Sequence, residues 1–211
     1  MWSDFPFAKR LQLDKHLASY STLGVGGRAE AFFEAKTTEE LIEALNYATS
    51  KNIKAVVLGG WSNVLVNDKG VSGLVINNRA DQWEIMDTQP QKAGQFSKHA
   101  RWQSSEPTHV PEYDESIYPS VFVRADSGCS LSKLMSDLFK QGVTGLEWFA
   151  GIPGTVGGAI YMNMHGGSRM FGDLVNSARL FSEGKIKVAQ NDYFQFRYDW
   201  SALHDTHEVV I

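Results

Sequence analysis

The sequence predicts an α+β fold, and three observations carry that prediction. A capped amphipathic helix sits between two β-rich runs in the first third of the chain. Two glycine-rich bends lie far apart, and a polar, proline-bearing stretch divides the elements into two groups. The 211 residues can bury one sizeable core or two modest ones. Hydrophobic content of 43% and charged content of 21% are those of a globular protein. A net charge of −4 and a pI of about 5.9 argue against the basic footprint of a nucleic-acid binder. The lone Cys129 rules out an internal disulfide framework and fits a reducing compartment. Residues 1–10 hold no apolar signal-peptide core, and no run approaches the roughly 18 apolar residues of a membrane span. The expectation is a cytoplasmic protein with neither membrane nor nucleic acid as partner, its oligomeric state left open.

Residues 1–16 mix aromatic and charged side chains (Trp2, Phe5, Phe7, Lys9, Arg10) without periodicity. Residues 17–28 carry a first glycine cluster, read as a turn before a strand over 29–35, where Phe32 and Phe33 give β-forming bulk. Thr37-Thr38-Glu39-Glu40 is a capping box, and Leu41, Leu45 and Ala48 extend a helix to about Lys51. Residues 53–58 form a strand, and 71–76 another. Between 87 and 120 the composition turns to Gln, Lys, His, Ser, Glu and four prolines, which predicts an exposed loop or a flexible hairpin. His99 and His109 lie there at no metal-ligand spacing, and no metal is expected. The domain reading is therefore a first lobe over 1–80, a linker or flexible loop insertion over 81–120 and a second lobe over 121–211.

The second lobe starts with a strand over 121–125. Ser130 then caps a helix carrying Leu131, Leu134, Leu138 and Phe139 on one face, closed by Gly142. Residues 178–188 read as a hairpin turning at Glu183-Gly184. Residues 208–211 read as a last strand, a blunt finish that suggests another domain would begin beyond it.

The two glycine bends carry the chemistry. Residues 145–158 hold five glycines and one proline, a run unsuited to an ordinary helix or a central strand. The strand over 53–58 flows into Gly59-Gly60-Trp61-Ser62-Asn63, where a hydroxyl and an amide join the backbone donors. Backbone N–H groups turned one way hold an anion such as a phosphate. No helix pattern follows Gly60, so the dinucleotide G-x-G-x-x-G is absent, and so is Gly-Lys-Ser/Thr. Residues 145–158 alone have two readings, a phosphate cradle or a buried tight turn, and the bend at 59–63 shifts the balance to a phosphate-bearing ligand.

Leu58-Gly59-Gly60-Trp61-Ser62-Asn63-Val64-Leu65 together with Gly151-Ile152-Pro153-Gly154-Thr155-Val156-Gly157-Gly158-Ala159 resembles the UDP-N-acetylenolpyruvoylglucosamine reductase family. Ser21-Thr22-Leu23-Gly24-Val25-Gly26-Gly27-Arg28-Ala29 and Gly142-Val143-Thr144-Gly145-Leu146-Glu147 match in the family's order, and the resemblance covers most of residues 17–201. It implies a two-lobed FAD-binding core of the vanillyl-alcohol-oxidase/PCMH type, here without the C-terminal substrate domain. It implies FAD, with NADPH as co-substrate and a UDP-sugar as substrate; neither glycine bend carries a suitably placed His or Cys, so the FAD is expected to be non-covalent. Those two bends, with Gly145 and Asn163, would hold the flavin, and Phe149 and Ile152 would flank its ring. NADPH would reduce the flavin, which would then pass hydride to an enolpyruvyl double bond in peptidoglycan precursor synthesis.

The family's catalytic Arg lies in Phe-x-Tyr-Arg-x-Ser. Phe194-Gln195-Phe196-Arg197 fits it in one register and gives Arg197 that role. Phe196-Arg197-Tyr198-Asp199-Trp200-Ser201 fits in the other, keeping Tyr198 and Ser201 but placing Asp199 at the Arg position. If the segment is a strand, Arg197 reaches the same side only through a bulge. Arg197 has a second reading as a surface or structural ion pair. His165 also has two, a ligand contact or a structural histidine in a glycine-rich loop. Two other functions stay open: a flavin-binding module without reductase activity, and a flavin oxidase of the wider superfamily.

Overall fold

A computed structural model describes residues 2–86 and 121–211. The first lobe is a sheet with strand order β1-β2-β4-β3, from β1 (Gln12–His16), β2 (Arg28–Ala35), β3 (Ala55–Leu58) and β4 (Val71–Asn78). β2 and β3 both run parallel to β4, while β1 is antiparallel to β2. The helix α1 (Thr38–Ser50) covers one face. Thr37 Oγ1 accepts from the Glu40 N–H at 3.3 Å, and Glu40 reaches back to the Lys36 N–H, one residue before the cap. Leu41, Ala44, Leu45 and Ala48 pack on Phe33, Ala35 and Ile76. The opposite face buries Phe32 and Val75 against Leu17, Trp61 and Val66. Where β2 meets β4, the register slips between Ala29 and Ala31. Gly73, at φ 87°, sits at that slip; a Cβ there would be 2.2 Å from the Lys54 carbonyl, so only glycine fits.

β1 and the segment before it were not legible in the sequence. Phe5 and Phe7 close over Phe33, at ring distances of 5.2 Å edge-on and 4.9 Å stacked. This packing uses aromatic residues with no period to announce them.

Of the stretch 81–120, residues 81–86 are described, and they include a strand. β5 (Trp83–Met86) pairs antiparallel with β6 (Phe122–Ala125), where the backbone donors and acceptors of each find partners on the other. The loop expected over 87–120, with His99 and His109, lies outside the described residues. The second lobe continues with α2 (Leu131–Lys140), α3 (Val156–Met162) and the short pair β7 (His165–Gly166) and β8 (Arg169–Met170). β9 (Ser177–Ser182) and β10 (Lys185–Gln190) form the expected hairpin, α4 (Leu203–Thr206) follows, and β11 (Val209–Val210) adds to the free edge of β9. The lobes share a core, since Phe181 and Ile211 are buried among the α1 and β2 side chains.

Three local expectations are corrected. Phe139 is 38% exposed, outside the buried Leu131, Leu134, Met135 and Leu138 stripe. It follows Leu138 by one position, about 100° around the helix. Ser130 precedes α2 without a side-chain capping bond. The stretch 145–158 contains the start of a helix, because Thr155 caps α3 by accepting from the Gly158 N–H at 3.4 Å. Gly157 and Gly158 occupy its first turn, and a Cβ on Gly157 would come within 2.9 Å of the Ser127 Cβ.

Candidate functional site

The two glycine bends meet in space. A Cβ on Gly59 would sit 2.3 Å from Thr155 Oγ1, and one on Gly60 would sit 3.1 Å from the Gly154 Cα. Ser62 Oγ donates to the Pro153 carbonyl at 3.0 Å. Gly59 and Gly60 have ordinary negative-side backbone angles, so here glycine serves close approach. The left-handed position falls on Trp61, at φ 58°.

Beside this contact lies a cleft of about 300 Å³ lined by Thr22, Leu23, Ser62, Asn63, Val64 and Leu65. Among the described residues the main-chain N–H groups of Ser62, Asn63 and Leu65 make no hydrogen bond to protein, and Val64 closes the turn over 62–63. No carboxylate lines the cleft, and Leu23 and Leu65 present exposed apolar surface. Open donors beside apolar walls suit an anionic ligand with an apolar portion. A recess of about 340 Å³ bounded by Gln82, Trp83, Glu84, Arg124 and Asp126 shares no residue with either bend, and its Arg124 is paired with Glu84 at 2.7 Å. The smaller cleft is the one at the bends.

Several expected flavin contacts turn inward. Trp61 is buried and its Nε1 donates to Asn77 Oδ1 at 2.8 Å, so its indole fixes the bend to β4. Phe149 is 1% exposed and meets Phe171 edge-on at 5.4 Å, which removes it as a wall for a flavin ring. Leu58 and Ile152 are partly buried against the two cores, and Ala159 is buried. Asn163 is also buried, at φ 45°; its Nδ2 donates to the Arg197 carbonyl at 2.7 Å and its Oδ1 accepts from the Gly172 N–H at 2.8 Å. The amide is spent on the protein. Gly145, Gly151, Gly154, Gly157 and Gly158 shape the second bend, with Gly145 and Gly151 at φ 109° and 82°.

Residues 194–201 are not a strand. Arg197 and Trp200 exchange backbone hydrogen bonds at 3.0 and 3.2 Å, which closes a tight turn with Asp199 at φ 49°. Asp can hold that left-handed angle better than most residues. Arg197 is exposed and lies over the Trp200 ring at 4.6 Å. Ser201 is fully buried and its Oγ donates to the Tyr161 carbonyl at 2.6 Å, so it has no face toward a substrate. Asp199 Oδ1 lies 2.8 Å from His165 Nδ1, and the Tyr198 hydroxyl 3.3 Å from His165 Nε2. This grouping was missed, because no spacing links residue 165 to 198 and 199.

A model of a domain family described as "FAD binding domain" matches residues 29–93 and 108–184. The chain belongs to the FAD binding domain family. Both glycine bends fall inside the matched segments of this FAD-binding chain, and the 197–200 turn falls outside them. UDP-N-acetylenolpyruvoylglucosamine reductases are among its relatives: that of Trichormus variabilis is 31% identical over 92% of this chain and 50% of its own. The one from Bacillus subtilis is 30% identical over 89% of this chain and 52% of its own. The chain thus spans about half the length of the curated relatives it matches. The solved UDP-N-acetylenolpyruvylglucosamine reductase of Thermus caldophilus superposes with a TM-score of 0.63 at 25% identity, over 95% of this chain and 58% of that one. A VAO-type flavoprotein from Myceliophthora thermophila, at 17% identity and a TM-score of 0.54 over 79% of this chain and 27% of that one, shares the fold alone. The two-lobed α+β core is therefore that of the FAD-binding family, as the resemblance implied.

Cys129 backs the second bend, its carbonyl accepting from the Val156 N–H at 3.0 Å. Burial, then the nearby Asp81 charge, pushes its thiol up to about 11. It stays a protonated, buried group. Among the described residues no helix is long and apolar enough to cross a membrane, and no cluster of three or more metal-ligating acids, His or Cys occurs.

Proposed function

We propose that this chain is the FAD-holding part of an NADPH-dependent reductase that converts UDP-N-acetylglucosamine enolpyruvate to UDP-N-acetylmuramate, a cytoplasmic step of peptidoglycan precursor synthesis. The observation that carries it is the contact of Gly59 and Gly60 with Thr155 and Gly154, in a chain similar to such reductases along most of its length. The residues present fit a flavin dinucleotide: the N–H groups of Ser62, Asn63 and Leu65, the Ser62 and Asn63 side chains, and the apolar Leu23 and Leu65. At about 300 Å³ the cleft is small for a ligand site, with room for the diphosphate and one flanking group. Bound flavin would supply two-electron chemistry, taking reducing equivalents from NADPH and passing them to the enolpyruvyl double bond. Ser62 positions the first bend on the second through Pro153, and Trp61 fixes it to the sheet. Arg197, exposed on the turn over the Trp200 ring, is assigned to developing negative charge in this reading. In this reading the flavin is held non-covalently, because neither glycine bend carries a His or Cys.

The test is a visible spectrum of the protein loaded with FAD. A flavin band bleached by NADPH without oxygen and restored by the UDP-enolpyruvyl sugar supports the reading, and acid precipitation should release all the flavin. Absence of a flavin band overturns it. A second reading, a flavin-binding module without reductase activity, draws on the burial of Ser201. A yellow protein that NADPH does not bleach would favour that module; bleaching by a small alcohol or sugar instead would favour an oxidase.

A further inference from the structure

β4 ends on two buried amides, Asn77 and Asn78, which are 2% and 3% exposed. Neighbouring residues of a strand point to opposite faces, so each amide serves a different side of the sheet. Asn77 Oδ1 accepts from Trp61 Nε1 at 2.8 Å, and its Nδ2 donates to Glu34 Oε2 at 3.1 Å. An indole N–H only donates and a carboxylate only accepts, and the amide between them satisfies both. Asn78 Nδ2 donates to Ser127 Oγ at 2.8 Å, and its Oδ1 accepts from the Ala80 N–H at 3.1 Å. The carbonyl of Ser127, itself 4% exposed, accepts in turn from the Gly157 N–H at 2.8 Å. One strand end thus ties down Trp61 in the first bend and Gly157 in the second.

We propose that Asn77 and Asn78 set the spacing of the two bends and are positioning residues for the flavin diphosphate, with Glu34 acting through Asn77. This rests on the reading that the bends hold the flavin. The first bend needs an anchor because Trp61 sits at φ 58°, a left-handed angle that disfavours a bulky side chain. The indole packs on Tyr20 at 5.3 Å and Phe32 at 6.5 Å between ring centres, and the Asn77 bond fixes its rotation. Without that bond Trp61 is free to relax toward ordinary angles. Ser62 and Asn63, which follow it, would then carry their unbonded N–H groups out of line with the second bend. Glu34 stands opposite Asn77 on β2 and sets which way the amide points. On the other side, a Cβ on Gly157 would be 2.9 Å from the Ser127 Cβ, so α3 starts in direct contact with the residue that Asn78 holds. A diphosphate fits one gap. An error at either amide therefore weakens the same ligand.

The experiment has two arms. Proton–nitrogen NMR of this chain follows the Trp61 indole N–H, which should exchange with solvent about 100-fold faster in Asn77→Ala than in the unaltered protein. Equal exchange overturns the anchoring of Trp61, whatever the function. In the second arm, equilibrium dialysis of the FAD-loaded chain, well below its unfolding temperature, gives the Kd for FAD. Asn77→Asp sets a carboxylate against Glu34 and should weaken FAD about 10-fold. Glu34→Gln added to it supplies the missing donor and should restore the Kd to within about 3-fold of the unaltered value. Asn78→Ala should weaken FAD about 10-fold. Tyr47→Phe removes a bond to Asp4 on the α1 side of the sheet and should leave the Kd unchanged. Failure of the Glu34→Gln rescue, an unaltered Kd in Asn78→Ala, or an equal loss in Tyr47→Phe overturns the positioning role while the flavin reading survives. An unaltered chain that binds no FAD overturns that reading, and the positioning role with it.

Discussion

The glycine contact and the 197–200 turn hold their shapes by opposite means. At Gly59 and Gly60 the structure needs missing atoms, since a Cβ there would collide with Thr155 or press on Gly154. At the turn it needs atoms present: the Asn163 amide, the Ser201 hydroxyl and the Asp199 carboxylate each fill one bonding position. A site built on absent side chains fails by collision when anything is added. One built on polar side chains fails by leaving partners unsatisfied. The first sort of site can be read from a run of glycines, the second only once the chain has folded.

Gly59→Val tests the collision side and should give the largest effect. Overpacking against Thr155 should cost about 3 kcal/mol and abolish FAD retention, read by urea unfolding and by the flavin spectrum. Thr155→Ala in the same protein should recover part of the stability, because the atoms met first belong to the Thr155 side chain. No recovery would mean that the bends do not touch as described.

Asn163→Leu tests the other side. It removes both amide bonds, leaves the Gly172 N–H and Arg197 carbonyl without their partner, and puts a branched residue at φ 45°. About 2–3 kcal/mol should be lost in urea unfolding. Asn163→Gly, which tolerates that backbone angle, should lose less. Equal losses would place the whole cost in the hydrogen bonds.

The smallest expected effect concerns Glu208, which ties β11 to β10 through Lys187 (2.6 Å) and accepts from Tyr193 at 2.6 Å. Burial acts to raise its carboxyl, but the bonds from Lys187 and Tyr193 outweigh this and hold it below its ordinary 4.5. A group depressed in the folded state stabilises above its unfolded pKa and loses that contribution as pH falls through the folded value. Thermal unfolding scanned downward from pH 4.5 should therefore drop more steeply for the unaltered protein than for Glu208→Gln. Parallel curves would show that this anchor carries no pH-dependent stability.

The α1 helix was legible because its start and its buried stripe are both local: Thr37 and Glu40 cap it, and Leu41, Leu45 and Ala48 repeat at its own period. The β9–β10 hairpin was legible through Glu183 and Gly184, both at positive φ. β1 was not, since it gains its ladder from β2 and its preceding aromatics from Phe33. The turn at 197–200 was not legible, because no local glycine or proline marks it. Asn163, 34 residues away, instead holds the chain in a turn.

By itself the sequence determined the family and the two bends, because glycine spacing and short-range periodicity are properties of neighbouring residues and act before any distant contact forms. Which side chains face the cleft, which turn inward as Trp61, Phe149 and Ser201 do, and which meet as His165, Tyr198 and Asp199 do was decided by tertiary structure. A side chain's partners depend on segments brought together only on folding, and a buried polar group takes whichever bond that packing offers it.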